Sequence, residues 1–326
     1  MRRWIGVGAL AVIGCDEPHV RTSAPYRPPA GASPLDGPGD WLPAADPRSP
    51  SVDVALEHEG LDAPVGARAA FDGESILFAE EATLQAVDLT DRSLSTFAAV
   101  SWGPSTDGAN RSPPLTLAAV GPVGDAVVFS EGFAIQVGPF DGLPRLVPLT
   151  GELIDARLVA GGVAVLTRSG EVQFEGGGGA WIGEREVAQW SMVTHGDAVY
   201  VATPDAVHRV ERSGGEEVAD GARHLAVDQQ TGLLARATLH RVESDEWSVA
   251  VDGDVRGLVS IGAAGVFAAW VDREGDDLVE LLDARTGEEL GTLDARDGMR
   301  ALDGSAGGDL LLQVRGDEVV TWRVRR

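Results

Sequence analysis

The chain has 326 residues, 44% hydrophobic and 24% charged, with enough apolar side chains for a sizeable buried core. Its 51 Asp and Glu face 26 basic residues, all arginine, for a net charge of −25. That balance, with no arginine-rich run, excludes a phosphate-tracking nucleic-acid surface and electrostatic docking on anionic lipid. One cysteine, Cys15, excludes an internal disulfide framework and a cysteine-built zinc site.

In chain order, "MRR" supplies a positive start and "WIGVGALAVIG" an apolar run. The run is shorter than the roughly 20 residues a membrane-spanning helix needs and suits the core of a secretory signal. "RRW" lacks the pattern that follows the arginines of a twin-arginine signal. Val12-Ile13-Gly14-Cys15 resembles the lipobox of bacterial lipoproteins. The resemblance implies cleavage between Gly14 and Cys15, lipid on Cys15, and a chain held at a bacterial membrane, on its periplasmic or outer face. Acyl chains hold by burying CH₂ groups, at about 0.8 kcal/mol each. Asp16 resembles the inner-membrane retention signal of enteric bacteria.

Residues 16–50 hold half of the chain's 18 prolines, with neither a period of 2 nor one of 3.6. Such a segment buries too little to order itself. The expected organisation is therefore a signal peptide at 1–14, a lipidated cysteine and disordered Pro-rich tether at 15–50, and a folded domain at 51–326.

That domain repeats. "HRVE" occurs at His208–Glu211 and again at His240–Glu243. Around both copies, and five more times, a strand-like run leads to a glycine turn, a more apolar run, a short break and an alternating run. The turn glycines are Gly73, Gly124, Gly162, Gly196, Gly232, Gly265 and Gly308, roughly 39 residues apart on average, close to the length of a four-stranded propeller blade. No unit carries a helical pattern. The fold expected is all-β: a seven-bladed β-propeller of four-stranded antiparallel blades, with small residues on the crowded inner strands. The last unit stops after its third strand, "EVVTWRV", and Ser51–Glu59 reads as an orphan strand. The N-terminal strand is expected to close the last blade. "LDARTGEEL", with Asp283, Thr286 and Gly287, is similar to the strand-turn-strand phrase of quinoprotein-like propellers, without its terminal tryptophan. "AVLTRSGEVQFEGGGG" resembles the repeat of the chromosome condensation regulator family. These likenesses imply a propeller of the WD40/quinoprotein-like repeat type.

For chemistry the sequence offers little. His208 and His240 repeat because the unit repeats, each on a third strand. "DREGDD" and "DGD" lack calcium-loop spacing and read as hairpin tips; "EGGGGAW" lacks the Lys-Ser/Thr of a phosphate loop. No serine elbow or zinc motif is present, and no catalytic residue, metal site or cofactor is assigned. Most of Trp181, Trp190, Trp247, Trp270 and Trp322 are expected between blades. The polar stretch Ala98–Leu115 has no strand signal and reads as a long loop at one end of the ring, with Trp102 outside any strand. Trp102, Asp107, Asn110 and Arg111 are its candidate partner-binding residues. The function expected is a non-catalytic, membrane-anchored scaffold of the cell envelope that binds an envelope protein. One known propeller lipoprotein, an assembly factor of outer-membrane-protein machinery, is similar in architecture only. The alternatives are a propeller sensing a small ligand or calcium, and a hydrolase or lyase with converging acids in its channel.

Overall fold

The structure, a computed structural model, describes residues 18–21, 52–62, 66–104, 110–111, 114–122, 125–130, 132–138, 145–147, 151–160, 162–183, 191–274, 276–295, 298–316 and 318–326. The expected signal peptide at 1–14 with Gly14, Cys15, most of the expected tether, Gly124, Trp190 and Asp107 lie outside them. Among the described residues no helix is long and apolar enough to cross a membrane.

Seven antiparallel sheets follow one another along the chain, at 68–104, 116–147, 153–181, 191–220, 224–250, 254–294 and 299–325. We number them blades 1 to 7. In every blade the first strand is innermost, and successive innermost strands touch in cyclic order, with that of blade 7 returning to that of blade 1. Gly196, Gly232 and Gly265 turn their chains with positive φ between first and second strands, as the repeat required.

The core explains why the blades need one another. Side chains alternate between the two faces of a strand, and in blade 1 Ile76 and Phe78 pack with Leu310 and Leu312 of blade 7 while Leu77 packs with Leu117 and Val128 of blade 2. Each of the seven apolar clusters draws on two adjacent blades, and together they fill all seven gaps around the ring. A blade alone would expose both faces, at about 1.5–3 kcal/mol for each large side chain.

Closure follows the expected route. Asp53–Asp62 pairs with Glu318–Arg325, placing Val54 opposite Val324 and Leu56 opposite Trp322, and completes blade 7. Ion pairs reinforce the seam: Arg323 donates to Glu57 at 3.1 Å and to Asp309 at 2.6 Å, and Arg325 donates to Asp309 at 3.0 Å. Glu57 is only 8% exposed and Arg323 only 15%.

The "LDARTG" phrase is a strand-turn-strand. The backbone N–H groups of Arg285 and Thr286 donate to Asp283, and Gly287 turns with φ 70°. The tryptophan it lacks arrives from blade 5. The Trp247 indole N–H donates to the Ala284 carbonyl at 2.9 Å, and a Cβ on Gly287 would lie 2.5 Å from that ring. Trp322 is buried and Trp270 partly buried at the gap between blades 6 and 7. Trp181 departs from the expectation for the tryptophans. It sits on the outermost strand of blade 3, where no further strand covers it, and is 64% exposed with its indole N–H on the Ser169 carbonyl.

Breaking a buried ion pair strands its partner's charge, so the seam can be tested energetically. Glu57→Ala and Arg323→Ala are each expected to cost about 3 kcal/mol. A double-mutant cycle by urea denaturation is expected to give a coupling of about 1–3 kcal/mol. Additive losses would mean that the closing strand is not seated on Arg323.

Candidate functional site: the central channel and the edge of blade 1

An innermost strand has a neighbour on one side only, so its other backbone edge faces the axis. Seven such edges wall a central channel. One cavity in it, of about 390 Å³, is lined from the innermost strands of all seven blades. Much of the wall is small and apolar (Ala69, Ala118, Ala119, Ala226, Gly257), as the crowding near an axis requires.

The ionisable residues of the lining are Arg68, Arg157, His224, Arg256, Arg300 and Asp303. In a chain with a net charge of −25, the ionisable part of this lining is mainly arginine. Arg157 is a staple. Its Nε donates to the Met192 carbonyl at 2.9 Å, and one terminal nitrogen reaches the Ala118 carbonyl at 3.2 Å, the Ala156 carbonyl at 2.8 Å and Asp155 at 2.5 Å. One guanidinium thus ties the innermost strands of blades 2, 3 and 4. Asp303, on blade 7, accepts the Ala69 N–H of blade 1 at 2.8 Å and has Arg68 at 3.7 Å. Burial pushes its carboxyl above the usual carboxylate range, although Arg68, the Ala69 N–H and Arg157 act the other way. Burial holds His224 below the ordinary imidazole value, and the neighbouring Arg223 charge adds to this.

Arg256 and Arg300 owe their placement to the chain's local geometry. In blade 6 the pairing slips between Val255 and Gly257, and in blade 7 between Met299 and Ala301. Each slip inserts one residue into the innermost strand, and in both blades the inserted residue is an arginine. A bulge re-aims its side chain. Arg256 is held by Asp272 at 2.9 Å and Asp254 at 3.5 Å, while Arg300 is exposed and has no ion-pair partner among the described residues.

A second cavity, of about 540 Å³, shares Phe71, Arg157 and Thr194 with the first. It opens among the turns after the innermost strands, where Asp125 accepts from Gln136 at 2.9 Å. No group of three or more His, Cys, Asp or Glu able to hold a metal occurs among the described residues. Among the described residues that line the cavity of about 390 Å³, the carboxyl is that of Asp303, on a different blade from His224. His208 lies on the third strand of blade 4 as expected; His240 falls in the turn just before the third strand of blade 5 and contacts the Gly253 carbonyl through Nδ1 at 2.9 Å.

At the outside of the ring, the stretch expected to be a loop is partly strand. The outermost strand of blade 1 runs from Leu94 to Pro104 and takes in Trp102, which pairs with Arg111. Asn110–Arg111 forms a short strand against it, so Trp102, Asn110 and Arg111 do come together. The strand continues because Ser95–Ala99 is already paired to blade 1 and the two added segments satisfy its far end. Pro18–Arg21, within the expected tether, lies antiparallel to Ala99–Trp102. Blade 1 therefore has six strands where the others have four.

The channel arginines were missed in the sequence although a signal was present. "ARAA", "ARLV", "VRGL" and "MRAL" each put one of these arginines before a turn glycine, in four of the seven units.

No family model matches the chain, and no curated protein matches it in sequence. Among solved structures its fold is similar to a chain of the mitotic checkpoint complex (TM-score 0.59, 12% identity, covering 90% of this chain and 99% of that one). It is also similar to the Cps50 (Swd1) β-propeller domain of Myceliophteria thermophila (TM-score 0.59, 12% identity, 83% and 99%). A third likeness is to Raptor of Chaetomium thermophilum (TM-score 0.57, 11% identity, covering 88% of this chain and 29% of that one). These neighbours are WD40 β-propellers. At such identities the likeness shows a shared fold.

Two predictions follow from the channel. Arg157→Ala is expected to cost about 2–4 kcal/mol, because it leaves carbonyls of two neighbouring blades unpaired; Arg157→Lys should recover only part, lacking the fork. A loss under about 0.5 kcal/mol would show that the staple is not formed. For His224, a depressed folded-state value means that the unfolded chain binds the proton first. Its stabilisation is then complete above about pH 6.5 and is lost as pH falls below it. Denaturation at pH 7.5 and 5.5 should show wild type losing more than His224→Gln; equal losses would contradict the burial of this ring.

Proposed function

We propose that this chain is a non-catalytic, lipid-anchored scaffold of the bacterial cell envelope, held through Cys15 and binding an envelope protein at the outer edge of blade 1. The observation that carries the reading is the long strand Leu94–Pro104, which outruns the four-stranded blade and accepts two further strands, Pro18–Arg21 and Asn110–Arg111. A strand edge that accepts added strands is a recognised mode of peptide capture: backbone hydrogen bonds give affinity and alternate side chains give selectivity. Trp102, Asn110 and Arg111 lie on this edge, with Asp107 in the connection between its strands. The "VIGC" sequence supports the anchor, and the Pro-rich stretch after it supports a spacer between membrane and ring. One solved structure of similar fold comes from a multi-protein complex. This supports a scaffolding role by analogy of fold.

The test is a crosslinked pull-down from native envelopes with the tagged full-length chain. An envelope protein recovered with wild type, and lost when residues 105–109 are deleted or Trp102 is replaced by Asp, is the expected result. Equal recovery with both variants would remove blade 1 from the interface. In parallel, Cys15→Ser is expected to abolish lipid labelling and release the protein from membranes; a labelled, membrane-bound variant would refute the anchor.

A further inference from the structure

We infer that the channel mouth formed by blades 5, 6 and 7 is a binding site for a small organic oxyanion bearing carboxylate or phosphate groups. The inference is independent of the blade 1 interface. It rests first on placement. Arg256 and Arg300 are the extra residues of matching bulges in adjacent innermost strands, so the irregularity that costs each strand a ladder position delivers a guanidinium to the same cavity. His224 adds an imidazole from blade 5.

Charge and hydrogen-bonding capacity agree. Arg300 has no ion-pair partner among the described residues and is exposed. Arg256 is oriented by Asp254 and Asp272, which fixes one fork while leaving the group 46% exposed. Exposed guanidinium donors call for a ligand made of acceptors, and a carboxylate or phosphate matches the planar, two-pronged donor face of a guanidinium. The cavity of about 390 Å³ takes a di- or tricarboxylate or a phosphorylated sugar and excludes a folded partner.

The experiment is isothermal titration calorimetry of the full-length protein with citrate and with inorganic phosphate, each against a chloride background of equal ionic strength. Binding is expected for at least one probe, weakened about 10-fold or more by Arg300→Gln and by Arg256→Gln. Arg300→Lys should retain part of the affinity. Arg241→Gln carries the same charge change on the third strand of blade 5 and should bind as wild type does. Arg300 is exposed and has no ion-pair partner among the described residues, so its replacement should leave the melting temperature unchanged, which separates lost binding from lost folding. Citrate binding without phosphate binding would assign the site to carboxylates, and the reverse to phosphates. No heat with either probe at about 10 mM, or affinity unmoved by both channel substitutions, or an equal loss in Arg241→Gln, overturns the assignment.

Discussion

Everything in this molecule depends on one strand arriving from the far end of the chain. Asp53–Asp62 supplies the outer strand of blade 7, and its Val54 and Leu56 pack into the apolar gap between blades 6 and 7. Each blade's faces are buried only by its neighbours, so an open ring would leave two blades with bare faces and a row of unpaired backbone groups. The seam combines apolar contacts of Val54 with an ion-pair network around Arg323, in which Glu57 and Arg323 are largely buried. Such a network adds little to net stability against an apolar alternative, but it penalises any register that breaks it.

Closure also creates the channel. A ring of strands ends at its centre in backbone edges with no partner, and small side chains are forced there by crowding. The backbone edges of this wall are polar by construction, and arginine suits them, because a guanidinium can satisfy several carbonyls of different blades at once, as Arg157 does. The same chemistry serves two purposes. Where the guanidinium is consumed by carbonyls it is structural; where a bulge turns it towards the opening, as at Arg300, it remains available to a ligand. An acidic exterior around a cationic throat means that long-range repulsion and short-range attraction act on an approaching anion in opposite senses, and salt screens the first more than the second.

The fold was largely legible in the sequence because its signals are periodic. Turn glycines recurring with blade spacing, valine-rich runs and an orphan strand at Ser51–Glu59 lead to the seven blades and the closing pair. What escaped was whatever depends on register. Trp102 looked like a loop residue because "SWGPSTDGANRSPP" has no alternation; its strand is set by pairing with an edge already built at Ser95–Ala99, which is tertiary information. Trp181 looked like core because it is aromatic beside a strand, and its exposure follows from being on an outermost strand. The bulges that present Arg256 and Arg300 are invisible in one dimension, since an inserted residue shows only against a partner strand. The recurrence of an arginine ahead of the turn glycine was readable, yet an arginine on an apolar strand reads as solvated surface until the strand is known to face an axis.

Ring closure is tested most directly by cross-linking the seam in a Cys15→Ser background, with cysteines at Asp53 and Arg325, which face each other in the pairing. The expected result is that the disulfide forms readily in air, the thiols disappear from titration, and the melting temperature rises and falls back on reduction, because the bond joins the two ends of the ring. Two free thiols under oxidising conditions, with melting unchanged by reductant, would mean that residue 53 does not lie beside residue 325 and that the ring is not closed by its N-terminal strand.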